Sequence, residues 1–299
     1  MSKFRKCLAV ASGSALAGSA HAAWKLNMPV GVTDMSREIH SLHMLIFWVC
    51  VVIAVLVFGA MIYSIVAFRK SNAAIPDTTL THSTKIEVIW TVIPILILIA
   101  MAIPAAETLV KIEDTRNSQL SIKVTGYQWK WHYEYLDRGV SFFSTLARDS
   151  NAARQLHSGI DPYTVPNYLL EVDNRLVVPV DTKVRLLLTA GDVIHAWWVP
   201  DFGVKKDAIP GFVNEAWFRA HELGVYRGQC AELCGRDHAF MPIVVEVKSK
   251  ADFETWLQGQ KKDQPPPSPA GEAPAPSAAA PQADNVQSTS ATNFVAHAE

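Results

Sequence analysis

Residues 42–68 form a run of 27 positions without a formal charge, and residues 88–110 carry one carboxylate, Glu107. A helix of a soluble protein keeps a polar face toward water. Uncharged runs of this length instead match the ~20 residues that cross a hydrocarbon layer about 30 Å thick, where a helix satisfies its own backbone. The reading is two spanning helices over 40–68 and 86–110, joined by a short loop, 69–85. Pro94 and Pro104 in the second are tolerated where a neighbouring helix covers the freed backbone groups. Arg69 and Lys70 close the first run, Trp90 heads the second and Lys111 follows it, as interfacial anchors do. Cys50, inside the first run, reads as a small buried apolar residue.

The chain opens with Lys3, Arg5 and Lys6, a short run of small and apolar residues at 8–20, and Ala20-His21-Ala22. This order describes a secretory signal over 1–22, with a mature chain starting at Ala23. Cys7 leaves with it. The signal sends 23–39 across the membrane, and two spans return the chain to the same side. The loop 69–85 holds three Lys/Arg and one Asp, in keeping with a cytoplasmic position. Residues 111–260 then lie outside the cytoplasm, in the periplasm of a Gram-negative cell with the spans in its inner membrane.

Charged residues are 18% of the 299, against roughly 25% in soluble domains. The net charge of −1 excludes a basic nucleic-acid binder, and four cysteines are too few for a disulfide scaffold. Residues 118–250 read mostly as short strands, including 121–125, 168–172, 174–180, 184–188 and 241–247. They predict an all-β antiparallel sandwich or barrel. Residues 138–166 lack a pattern and read as a long loop. Residues 251–258, with Phe253, Trp256 and Leu257, suit a closing helix. From 261 to 299 the Pro/Ala-rich composition predicts a disordered tail.

The chemistry concentrates in 228–241. There Cys230, Cys234, His238 and Met241 fall within twelve residues, and His195 lies upstream. Two thiols, two imidazoles and a thioether form a soft, mixed donor set that favours copper over magnesium, calcium or manganese. Cys230 and Cys234 on one loop can place two sulfurs to bridge two metals. Taken alone, the same cysteines also suit a disulfide in an oxidising compartment or, with the histidines, a structural zinc. No Cys-x-x-Cys-His occurs, so haem attachment is excluded.

This string resembles the CuA loop of subunit II of haem–copper cytochrome c oxidase. Gly126-Tyr-Gln-Trp129-Lys-Trp131-His-Tyr133-Glu134-Tyr135, Glu171-Val-Asp-Asn-Arg175 and Lys206-Asp207-Ala-Ile-Pro-Gly211 match further strings of that family in order. The likeness covers about residues 35–258. It implies a two-helix transmembrane hairpin followed by an all-β cupredoxin-like Greek-key domain. It also implies a binuclear copper centre bridged by Cys230 and Cys234. His195 and Met241 would complete one copper, and His238 and the Glu232 carbonyl the other. The Glu232 side chain would share a Mg²⁺ or Mn²⁺ with subunit I. Trp129 would receive the electron from cytochrome c, with Trp131 as the alternative. Glu87 would stand at the cytoplasmic mouth of a proton path.

The activity implied is electron transfer from cytochrome c to haem in subunit I of an aa3-type oxidase, coupled to proton pumping, with subunit III as a further partner. A quinol oxidase subunit would lack the copper ligands. A copper-delivery protein would not explain Glu87, the aromatic string or Asp207-Ala-Ile-Pro-Gly211. Nitrous oxide reductase would need a second large domain. Two features depart from the family. Phe212 stands where many relatives carry Arg. Residues 111–260 hold 17 Lys/Arg and 19 Asp/Glu, so any acidic docking patch must come from local clustering of Glu134, Asp137, Asp173 and Asp192.

Overall fold

The structure is a computed structural model that describes residues 27–69, 71, 79 and 82–263. The expected signal (1–22), the centre of the 69–85 loop and all but the first three residues of the 261–299 tail lie outside these residues. Two long helices come first, α1 (Asp34–Ala67) and α2 (Thr84–Ile112). Both are apolar beyond a polar first turn, and no residue of their central windows is buried within the chain. Cys50 lies on the surface of α1 that the rest of the chain leaves uncovered. Pro94 and Pro104 are accommodated within α2.

α1 starts at Asp34, ahead of the apolar run. Thr33 caps it: the Thr33 side chain accepts from the Ser36 N–H at 3.0 Å, and the Ser36 hydroxyl accepts from the Thr33 N–H at 3.0 Å. This reciprocal pairing satisfies two of the amides left open at a helix start.

Ten strands follow. They are β1 (Leu120–Tyr127), β2 (Lys130–Tyr135), β3 (Val140–Ser144), β4 (Leu176–Pro179), β5 (Val184–Ala190), β6 (His195–Val199), β7 (Val204–Ala208), β8 (Asn214–Phe218), β9 (Gly224–Cys230) and β10 (Pro242–Lys248). One sheet runs β3-β2-β1-β5-β8 and the other β4-β10-β9-β6-β7. Alternation decides which face is buried. In β5, Val184, Leu186, Leu188 and Ala190 point inward while Arg185, Leu187 and Thr189 do not. Ile122, Val124, Trp131, Tyr133, Trp197, Phe218, Ile243 and Val245 join them in the core between the sheets.

The sandwich is not purely antiparallel as expected. β1 pairs parallel to β5 and β4 pairs parallel to β10, because these strands are brought together across the fold rather than through hairpins. The expected loop at 138–166 is also partly ordered. It contains β3, a short helix α3 (Arg148–Ala153) and a 3-10 turn at Pro162–Thr164. Its ends are zipped by Thr145 N–H to Asp173 Oδ1 at 2.7 Å and Ala147 N–H to the Glu171 carbonyl at 2.9 Å. The closing helix α4 spans Lys250–Asp263, beyond the expected 251–258.

The hairpin is built into the sandwich. Thr33 bridges to Ala220, and Val32 N–H donates to the Asp201 carbonyl at 2.9 Å. Gly31 adopts a left-handed φ of 73°, and a Cβ there would stand 2.5 Å from the Asp201 carbonyl. Only glycine fits both demands. Asp34 pairs with Arg219 and His221, each at 2.7 Å. At the far helix, Trp217 Nε1 donates to the Lys111 carbonyl at 3.1 Å.

Candidate metal centre

Three strand ends converge at one end of the second sheet. β6 opens with His195, β9 ends in Cys230, and β10 begins directly after Met241. β6 and β9 are paired, with Trp197 opposite Cys230. The loop between β9 and β10 is closed at both ends. Cys230 N–H donates to the Met241 carbonyl at 3.1 Å, and Ala231 N–H donates to the Ala196 carbonyl at 3.0 Å.

Within this frame the donor atoms face one another. Cys230 and Cys234 are free thiols with sulfurs 3.8 Å apart. Cys230 Sγ lies 3.9 Å from His195 Nδ1, and Cys234 Sγ lies 3.5 Å from His238 Nδ1. Cys230 Sγ is also 3.4 Å from the Glu232 carbonyl. His195 and both thiols are buried, and their ligand atoms lie within 4.8 Å of one another. Met241 is buried at the end of the loop, and His238 starts the short 3-10 turn His238–Phe240. The Glu232 side chain is exposed.

The loop is also gripped from the first sheet. The Gln128 side-chain amide and Trp129 Nε1 both donate to the Cys234 carbonyl, at 2.9 Å and 3.2 Å. Gly235, with φ 117°, lets these groups come close, since a Cβ there would lie 3.0 Å from Gln128 Nε2. His195 is oriented from behind by Asp192, whose Oδ1 is 2.9 Å from Nε2. A proton on Nε2 shared with that carboxylate leaves the Nδ1 lone pair aimed at Cys230. Asp192 is further held by the Gln128 N–H at 2.7 Å. Asp192, one of the carboxylates expected in a docking patch, thus serves His195. Its position three residues before His195 was the signal for this positioning role.

The thiols do not ionise independently. Burial resists charge on Cys230, but the His195 contact and nearby backbone outweigh it and bring the thiol down to about 7. Burial and then the Cys230 charge push Cys234 up to about 12. Two thiolates this close need positive charge between them. Soft sulfur and imidazole donors converging around that spot fit a copper ion better than a hard cation.

The remaining site candidates separate. Trp129 is half-buried at the loop, whereas Trp131 is buried in the core with its ring 5.9 Å from that of His195. Glu87 lies exposed in the first turn of α2, about 36 Å of helix from Lys111 at 1.5 Å per residue. Three of the four carboxylates expected in one acidic patch have separate partners: Glu134 with Lys123, Asp173 with the Thr145 backbone and Asp192 with His195. Asp137 takes a left-handed turn position.

Comparison with known proteins gives one answer along the chain. The model for the cytochrome c oxidase subunit II transmembrane domain matches residues 21–107, and that for its periplasmic domain matches residues 120–248. A probable cytochrome c oxidase subunit 2 of Rickettsia conorii is 40% identical over 242 residues, covering 80% of this chain and 73% of the relative. Cytochrome c oxidase subunit 2 of Arabidopsis thaliana is 38% identical over 246 residues, covering 79% and 90%. The crystal structure of the periplasmic domain of subunit II of cytochrome oxidase of Bradyrhizobium japonicum is 45% identical, covers 50% of this chain and 98% of that one, and has a TM-score of 0.43. With its apolar helix pair, its ten-strand sandwich and its copper-type donor set, the chain belongs to the cytochrome c oxidase subunit II family.

Proposed function

We propose that the chain is the electron-accepting subunit of an aa3-type cytochrome c oxidase in the inner membrane, beside subunits I and III. It takes electrons from reduced cytochrome c and hands them to haem in subunit I, where oxygen is reduced to water and protons are pumped. The observation that carries this reading is the pair of facing thiols, 3.8 Å apart, flanked by His195 and His238.

In this reading Cys230 and Cys234 would be the thiolates shared by two coppers. His195 and Met241 would help hold one, and His238 and the Glu232 carbonyl the other. When bound, the dicopper centre supplies one-electron storage with little change of shape. The protein's part is to keep that shape fixed. Asp192 holds the proton on His195 Nε2, and Gln128 and Trp129 hold the Cys234 carbonyl. Trp129 joins the loop to the solvent side and is the contact for the donor. The exposed Glu232 carboxylate suits a hard Mg²⁺ or Mn²⁺ shared with subunit I. Glu87 marks the cytoplasmic mouth of a proton path at the opposite end of α2. A leader at 1–22 and two spans keep 111–260 on the periplasmic side.

The test is electron paramagnetic resonance and metal analysis of the purified chain loaded with copper. The expected result is two coppers per chain and a hyperfine pattern from one electron shared by both. One zinc and no copper would overturn the reading.

A further inference from the structure

His40, His43 and Met44 stand at i, i+3 and i+4 near the start of α1, so they share one face of that helix. His40 lies about 9 Å along the helix from Asp34 at 1.5 Å per residue, just ahead of the uncharged run. All three side chains are half-buried. The segment that precedes the helix folds back over this face and meets each of them. The Asn27 side-chain amide lies between two: its Nδ2 donates to Met44 Sδ at 3.1 Å, and its Oδ1 accepts from His43 Nε2 at 2.8 Å. His40 Nδ1 donates to the Met28 carbonyl at 3.1 Å. The two imidazole rings are 6.4 Å apart, centre to centre. A cavity of about 530 Å³ opens beside His40 and Met28 and reaches Asp201.

We infer that His40, His43 and Met44 form a capture site for monovalent copper, separate from the thiol centre, with Asn27 as the group that the ion displaces. A histidine that binds metal through one nitrogen donates its other N–H to a carbonyl or carboxylate. His40 already does so, which leaves the lone pair on Nε2. Two rings that share one ion at ~2 Å from each nitrogen have centres roughly 6 Å apart, so the observed spacing needs little adjustment. One amide group spans His43 and Met44, and an ion in its place reaches both after side-chain rotation. Thioether and imidazole donors together select soft copper, whereas a hard cation gains nothing from the sulfur. The acids at this end of α1 are engaged, Asp34 with Arg219 and His221 and Glu38 with Lys111. Asp201 is the one carboxylate lining the cavity. Among the described residues no third histidine, thiol or carboxylate ligand gathers with the two imidazoles, so the thioether decides the ion. On the topology proposed above, the site faces the same compartment as the thiol centre.

The experiment uses the full chain in detergent with Cys7, Cys50, Cys230 and Cys234 all replaced by serine, so no thiol competes and the result is independent of the dicopper reading. Cu⁺ is titrated without oxygen against a coloured chelator. The expected result is one Cu⁺ per chain, with nitrogen and sulfur neighbours in X-ray absorption at the copper edge. In that background His40→Gln, His43→Gln and Met44→Leu should each weaken binding by ~100-fold, the upper end of the loss seen when a group that only orients a ligand is removed. Met44→Leu should also remove the sulfur neighbour. Circular dichroism checks that the helices persist, and glutamine can keep a hydrogen bond to the folded-back segment. Asn27→Ala should tighten Cu⁺ binding, because no amide then competes for His43 and Met44. Weaker binding in Asn27→Ala would make Asn27 a brace and overturn the inference. So would equal Cu⁺ affinity in the His40, His43 and Met44 variants, or a preference of the thiol-free chain for Zn²⁺ over Cu⁺.

Discussion

His195 turns one nitrogen to Cys230 and the other to Asp192, so its usefulness depends on a residue that is not itself a metal donor. Asp192→Asn removes the charge that fixes the ring while keeping a similar shape. Copper affinity should fall about 10- to 100-fold, as measured by competition with a chelator. Met241 makes a different case. It is buried where the loop rejoins β10, and leucine fills a similar volume. Met241→Leu should retain both coppers on metal analysis while shifting the reduction potential in a redox titration and slowing turnover. Complete loss of copper would show that Met241 is not a weak ligand.

The elements show what local pattern does and does not encode. The period-two burial of β5 and the apolar length of α1 and α2 are written in consecutive residues, so both were legible. The donor residues themselves were legible because soft side chains at 230, 234, 238 and 241 are rare together. The parallel pairing of β1 with β5 was not legible, since it joins segments about sixty residues apart in chain order. Nor was the ordering of 138–166, which depends on Asp173 reaching back to Thr145. The start of α1 at Asp34 was missed because hydropathy sees only the apolar middle, whereas the first turn is polar and held by the sandwich.

That turn has its own pH dependence. Hydrogen bonds to Asp181 and then Asp34 hold the His221 imidazolium above its usual range. Burial opposes ionisation of Asp34, but His221 and Arg219 outweigh it and lower the carboxyl. The His221 contribution is complete below its ordinary 6.5 and is lost as pH rises through the raised value. The Asp34 contribution is complete above 3.8 and is lost as pH falls through the lowered value. Protection of the amides at residues 31–36, corrected for intrinsic exchange, should therefore be greatest between those limits and fall on the alkaline side. His221→Gln should remove the alkaline change and cost about 1 kcal/mol.

At the scale of the whole molecule, metal and fold are linked. Cys230 sits among core residues, so ions that bind the folded site alone stabilise the sandwich by mass action. At free copper one hundred times Kd the gain is about 2.7 kcal/mol. Differential scanning calorimetry of the chain before and after copper removal should show a fall in Tm, reversed by adding copper back. An unchanged Tm would place the thiols outside the cooperative core.

The bridge from Thr33 to Ala220 also has a consequence for the order of biosynthesis. The segment that begins α1 is made early, but its partners Asp201, Arg219 and His221 are made much later. The two helices are complete well before those partners leave the ribosome. The mooring of helix to sandwich is thus a late closure. The tie begins with Asp201 and Phe202, which meet Val32 and Thr33, and is completed only when Arg219, Ala220 and His221 follow.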